Sequence, residues 1–119
     1  MVEFTLVLPV LLVVLFGIIQ FGITFSNYVA LTDAVRAGAR TAAISRSSST
    51  PVADVKARVM DASGDLDSSK VNVPDPVTPQ GWVHGADVTV TATYPYSISL
   101  LGIVVASGNL TSSTTERIE

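Results

Sequence analysis

The chain has no cysteine. That excludes a disulfide framework, a thiolate nucleophile and any cysteine-based metal site. It has a single histidine, His84, isolated in a Gly/Pro-rich stretch, which is too little for a metal centre or a histidine-dependent reaction. Serine is abundant, but no nucleophile-elbow motif surrounds any of the serines. No constellation supports an enzyme, and no cofactor is expected. Basic residues are scarce as well: seven Lys and Arg against ten Asp and Glu give a net charge of −3, with no basic cluster to attract nucleic acid. Aromatic residues are few and uneven. All four phenylalanines lie between Phe4 and Phe25, and after residue 32 the chain has only Trp82, Tyr94 and Tyr96.

Charge is missing most conspicuously from residues 4–32, where no side chain is ionisable apart from Tyr28. These 29 residues are mostly Leu, Val, Ile and Phe, and about 20 suffice to cross a bilayer. The run is too long for the apolar region of a signal peptide, and no basic segment precedes it, which disfavours a removed leader of that kind. One carboxylate, Glu3, stands just before it. An acid there is costly in hydrocarbon unless it finds a partner. The alternative is an exposed acid at a helix N-terminus, where the helix dipole favours it.

Apart from Pro9 and the glycines, nothing from Val2 to about Ser45 resists a helix. Pro9 falls in the early turns, where a lost hydrogen bond or a local kink does least harm. Gly17, Gly22 and Gly38 weaken a helix but permit close approach of a neighbour. After Leu31 the pattern becomes amphipathic. Asp33, Arg36 and Arg40 form a polar stripe, with alanines, Val35 and Ile44 on the other faces. Some 44 residues at 1.5 Å each make a rod of roughly 65 Å, longer than any bilayer is thick, so its second half stands outside the membrane.

Ser45–Thr50 is a break. Thr50 followed by Pro51 and Asp54 predicts a second helix with Thr50 as N-cap, an apolar face of Val52, Val55, Val59 and Met60, and an end at Ser63-Gly64-Asp65. Lys70–Val73 reads as a weak strand, and Pro74, Pro76, Pro79 and Gly81 as a loop. Alternation from Ala86 to Tyr96 predicts a strand with Val88, Val90, Ala92, Tyr94 and Tyr96 on one face, ending at a sheet edge near Pro95. Ser97–Ala106 is apolar and is expected to be a loop packed back on the helix. Ser107-Gly108-Asn109 is a turn signal, and Leu110–Ile118 is a Thr-rich strand antiparallel to the first. Asn109-Leu110-Thr111 matches a glycosylation sequon, a pattern common by chance. The expected fold class is α+β. Residues 1–46 form a long N-terminal helix for polymerisation, and residues 47–119 a small antiparallel β-rich domain with a short helix. That domain has a thin core and is expected to need neighbours.

The segment Val2-Glu3-Phe4-Thr5-Leu6-Val7-Leu8-Pro9 and the apolar run after it resemble the TadE-like family of type IV pilin-like proteins of tight-adherence pili. The helix Ala34-Val35-Arg36-Ala37-Gly38-Ala39-Arg40, the strand Val88–Tyr94 and the Thr-rich tail are similar to that family too. The resemblance implies a prepilin cut by a prepilin peptidase after a small residue, usually glycine. It would then insert in the membrane, be handled by inner-membrane assembly machinery, and polymerise with copies of itself into a helical surface filament. In that family the acid is fifth in the mature chain and pairs with the N-terminal amine of a neighbour. Here Glu3 is third and no glycine precedes it, so either two mature residues and a leader come before Met1 or the register differs. The assembly residues implied are Glu3, Phe4, Pro9, Gly17 and Gly22. Arg36, Arg40 and Arg46 would place their end of the span in the cytoplasm by the positive-inside tendency, whereas the resemblance implies export. The expected function is a structural pilus subunit for adhesion or surface colonisation. The alternatives are a minor pseudopilin that primes assembly, or a membrane-anchored binding domain that never polymerises.

Overall fold

A computed structural model describes residues 1–64 and 66–119; Asp65, expected at the end of the second helix, lies outside the described residues. The element order is α1 (Val2–Ile44), α2 (Pro51–Ala62), β1 (Asp87–Leu100) and β2 (Ile103–Arg117). The two strands form one antiparallel sheet. This is the expected α+β arrangement of a long apolar helix, a short helix and a β-rich remainder.

The molecule measures 71 × 23 × 18 Å. Its radius of gyration is 19.6 Å, against about 13–14 Å for a compact domain of this length. The excess comes from α1, which divides near Leu31. No residue before Leu31 is buried. From there on, Leu31, Ala34, Val35, Gly38, Ala39, Ala42 and Ala43 are buried. Their spacing of three and four residues is one helix face, opposite the exposed Asp33, Arg36 and Arg40 of the expected polar stripe. Asp33 and Arg36 stand 3.8 Å apart, a surface pair of little energetic weight.

That face packs against α2 through Val55 and Val59, and against the sheet through Val88, Val90, Ala92 and Tyr94. Small residues on α1 let the other elements come close. An ideal Cβ at Gly38 would lie 2.3 Å from Val59 Cγ2 and 3.4 Å from Val90 Cγ1, so the glycine sits at the crossing of three elements. The second half of α1 and residues 47–119 thus share one core. Ile118, fully buried, closes it, and Glu119 N–H donates to Ala43 O at 3.0 Å.

The second helix begins and ends where expected. Thr50 occupies the N-cap position and Pro51 the first turn, but the Thr50 hydroxyl donates to Asp54 Oδ1 at 3.2 Å instead of capping a backbone N–H. Ser48 Oγ also donates to Asp54, so that one carboxylate organises the entry into α2.

Four expectations are corrected. Lys70–Val73 is not a strand; the 71–77 segment touches the edge of β1 only at two bridges, Asn72 with Thr93 and Val77 with Thr89. β1 does not end at Pro95 but continues to Leu100. Thr89 and Thr93 turn their N–H groups outward to Val77 and Asn72, and Pro95 shares their parity, so its missing donor falls on the sheet's outer edge, where a proline is tolerated. Ser97–Ala106 is not a loop on the helix but the end of a hairpin, with Leu100 opposite Ile103 and a two-residue turn at Leu101-Gly102. Ser107-Gly108-Asn109 is no turn; it lies within β2, paired with Ser97, Tyr96 and Pro95.

Candidate membrane and assembly surface

The residues expected to act in assembly all lie on the exposed half of α1. Glu3 is in its first turn and Phe4 is 69% exposed. Pro9 is accommodated inside a helix that continues unbroken through it. Gly17 and Gly22 have nothing within 4 Å of an ideal Cβ, so neither makes a close contact within one chain. At 3.6 residues per turn, Phe4 and Gly22 fall on one line, Glu3 and Gly17 near another, and Pro9 away from both. The fold brings none of these five against another element; any contact they make is with lipid or with another molecule.

This half-helix is built for an apolar surrounding. It exposes Leu, Val, Ile and Phe on all sides, and it is long and apolar enough to cross a membrane. Both of its threonine hydroxyls are occupied: Thr5 Oγ1 donates to Met1 O at 3.1 Å and Thr24 Oγ1 to Gln20 O at 3.0 Å, each satisfying a group that hydrocarbon would leave unpaired. Phe21 and Phe25 stack one turn apart, with ring centroids 6.4 Å apart. Where α1 meets the domain, a shallow depression along the helix is lined by Phe25, Tyr28, Val29, Thr32, Asp33 and Arg36, which marks the change from an apolar to a charged surface. Thr32 Oγ1 and Ser112 Oγ, 3.1 Å apart, tie the helix to β2 at that level.

Of the three helix glycines that permit close approach, Gly38 is the one packed within the chain; that its neighbours are Val59 and Val90 follows only from the tertiary crossing. One feature escaped the sequence reading: a separate apolar surface at the hairpin end, where Leu101, Ile103, Val104 and Val105 are all more than half exposed. Its signal was present in the uncharged run Leu100-Leu101-Gly102-Ile103-Val104-Val105, which lacks the alternation of a strand packed on one side. Of the aromatic residues expected in the core, Tyr94 lies in it and Trp82 packs half-buried against it, whereas Tyr96 stays half-buried outside it, its ring over Gly108; Tyr94 Oη accepts from Asp67 N–H at 3.4 Å. Asp67 itself is held below the ordinary carboxylate range, first by the Ser69 hydroxyl at 2.7 Å and then by the Ser69 N–H at 3.1 Å; slight burial opposes this and Lys70 adds to it.

The family model described as TadE-like protein matches residues 1–40. The chain carries a TadE-like N-terminal segment. The match ends inside α1, four residues before the helix does, and covers the whole exposed half together with the first part of the packed face. No curated protein and no solved structure matches the chain.

Proposed function

We infer that this chain is a structural subunit of a tight-adherence pilus, not an enzyme, and that it polymerises through the exposed half of α1. The observation that carries this reading is the division of one continuous helix. Its second half is locked in a domain core, while some 29 residues before it present apolar side chains all round. Apolar surface on that scale is not left in water. Lipid covers it before assembly, and a bundle of the same helices from other copies covers it afterwards, so the surface stays dry throughout. Head-to-tail contacts of this kind do not close, and they produce filaments.

In this reading Glu3 is the specificity device. A carboxylate drawn into a helical bundle needs a cationic partner, and removing one member of a buried pair costs about 3–5 kcal/mol. The N-terminal amine of a neighbouring copy is the partner that the TadE-like resemblance suggests. Phe4, Pro9, Gly17 and Gly22 would then face neighbouring helices. Inner-membrane assembly machinery and a prepilin peptidase are the further partners, and the filament surface is the final location.

The test is Glu3→Ala in cells, read by electron microscopy of sheared surface material, mass spectrometry of its main component and membrane fractionation. The substituted chain should remain in the membrane and be lost from filaments. If Glu3→Ala is incorporated normally, the pairing role is wrong. If the unsubstituted chain is only a trace component of filaments, it is a minor priming subunit; if it purifies from detergent as a discrete monomer with no filaments, it is an anchored domain.

A further inference from the structure

We propose that the β1–β2 hairpin tip is a second membrane contact, dipping shallowly into the same bilayer face from which α1 emerges. The proposal rests on the membrane-inserted reading of α1.

Direction comes first. Ser112 is tied to Thr32, and Glu119 to Ala43. β2 therefore runs alongside α1 in the same sense, and moving back from Ser112 toward Ile103 leads toward the apolar half of the helix. Between the two ties, seven residues of β2 and the tail after it cover the same span as eleven helix residues, or roughly 16 Å of helix axis. At that rate, the nine residues from Ser112 back to Ile103 carry the tip roughly 20 Å beyond Thr32, to about the level of Ile18. The 23 × 18 Å cross-section of the molecule keeps the hairpin beside the helix on the way. With Glu3 at one face of a hydrocarbon layer about 30 Å thick, the opposite boundary falls near Ile23, so the tip reaches several ångströms past it.

Chemistry agrees with that depth. No residue between Asp87 and Glu116 carries an acidic or basic side chain, a stretch of 28 residues. Pairing passes from Ile98–Ala106 to Ser99–Val104, leaving Val105 as an extra residue in β2. This bulge breaks the alternation, so the tip is apolar on both faces. The turn itself is unusual. Leu101 and Gly102 both have left-handed backbone, φ 52° and 82°. Two-residue hairpin turns of this type favour Asn or Asp before Gly. A leucine there, 70% exposed, is unfavourable for both backbone and solvent, and it is consistent with an apolar surrounding. Tyr96, whose ring lies over Gly108, and Tyr28 on α1 stand at about the level of the headgroups, where tyrosines concentrate. Only the turn and its neighbours enter hydrocarbon, because the open edges of a two-stranded sheet are not tolerated there.

The absence of native cysteine makes the experiment clean. The full chain, carrying Val104→Cys, Ile18→Cys or Ser49→Cys, is labelled with a polarity-sensitive fluorophore and reconstituted into phosphatidylcholine–phosphatidylglycerol vesicles. The Val104 label should show blue-shifted emission, loss of quenching by iodide and gain of quenching by lipids spin-labelled near the headgroup; the Ser49 label should behave oppositely. Leu101→Asn, which suits the turn and preserves the fold, should return the Val104 label toward the aqueous quencher. A wet Val104 label beside a lipid-protected Ile18 label overturns the hairpin proposal and leaves the helix anchor standing. A wet Ile18 label overturns the anchor, and the proposal with it. Protection at Val104 that vanishes when vesicles hold one chain each assigns the tip to a second copy and overturns the lipid contact.

Discussion

Gly38 shows what one hydrogen atom in place of a methyl group does for this fold. In an exposed helix, Gly→Ala gains about 1 kcal/mol from helix propensity. Here the added Cβ would meet Val59 Cγ2 at 2.3 Å, and Val59 is fully buried and cannot swing into solvent. Overpacking of this kind costs about 1–3 kcal/mol, so the clash outweighs the propensity gain. Gly38→Ala is expected to lower the unfolding midpoint, and Val59→Ala in the same chain to restore part of it, although Val59→Ala alone destabilises. Thermal melts of the four chains measure that coupling; strictly additive losses would remove Gly38 from the α1–α2 contact. Gly17 and Gly22 lack any such neighbour within the chain, so the same substitution there should leave the domain's melt unchanged. A second residue-scale effect concerns pH. The Asp67 carboxyl is depressed from an ordinary 3.8 by Ser69, so the unfolded chain takes up the proton first as pH falls. Its contribution is therefore present above about 3.8 and lost as pH drops through the lower folded value. Asp67 is exposed, so the effect is small. Ser69→Ala should flatten that part of the stability–pH curve below pH 4, with its small loss of stability seen at neutral pH and absent at the acid end.

At the scale of elements, α1 and α2 were legible because their signals are local and repeated. An unbroken apolar run, a three-four spacing of alanines and a Thr-Pro entry each specify a helix without reference to the rest of the chain. β1 was legible as far as Tyr94 for the same reason, with valines facing the core and threonines away. The hairpin beyond it was not. Leu101-Gly102 has the backbone of a hairpin turn without the Asn or Asp that usually announces it, while Ser107-Gly108-Asn109 has turn chemistry and sits in a strand. Tertiary pairing settled the register: Thr111 to Arg117 are matched against Asp87 to Thr93, and the strands continue outward from there. The Thr89 and Thr115 hydroxyls, 2.7 Å apart, pin this register. The far end of β2 is held by Ile118, buried and bonded through its N–H to Ala86 O at 2.8 Å. Ile118→Ala should therefore cost about 2–5 kcal/mol, a core-sized loss one residue from the end of this sequence. Denaturant unfolding would measure it, and a change below about 0.5 kcal/mol would mean the tail frays and does not seal the core.

For the whole molecule, one helix serves two solvents. The assembly residues read from the sequence, Glu3 to Gly22, lie where no other part of the chain reaches them, so a single copy offers no geometry by which to assign their contacts. The core, in contrast, begins at Leu31 and includes no residue before it. Burial of Leu31 and Val35 alone contributes on the order of 3–6 kcal/mol, comparable with the entire net stability of a small domain. The domain therefore cannot be separated from α1 at residue 46 without losing one wall of its core, but it can be separated at residue 29. A chain of residues 30–119 is expected to be folded, to unfold cooperatively and to stay in solution. A chain of residues 47–119 is expected to show no cooperative transition. Far-UV circular dichroism with thermal melts and size-exclusion chromatography distinguish the two. If residues 47–119 melt cooperatively at a similar temperature, the second half of α1 is a stalk and not a wall. If residues 30–119 fail to fold, the helix depends on its apolar half being covered, and folding of the domain is coupled to the membrane or to assembly.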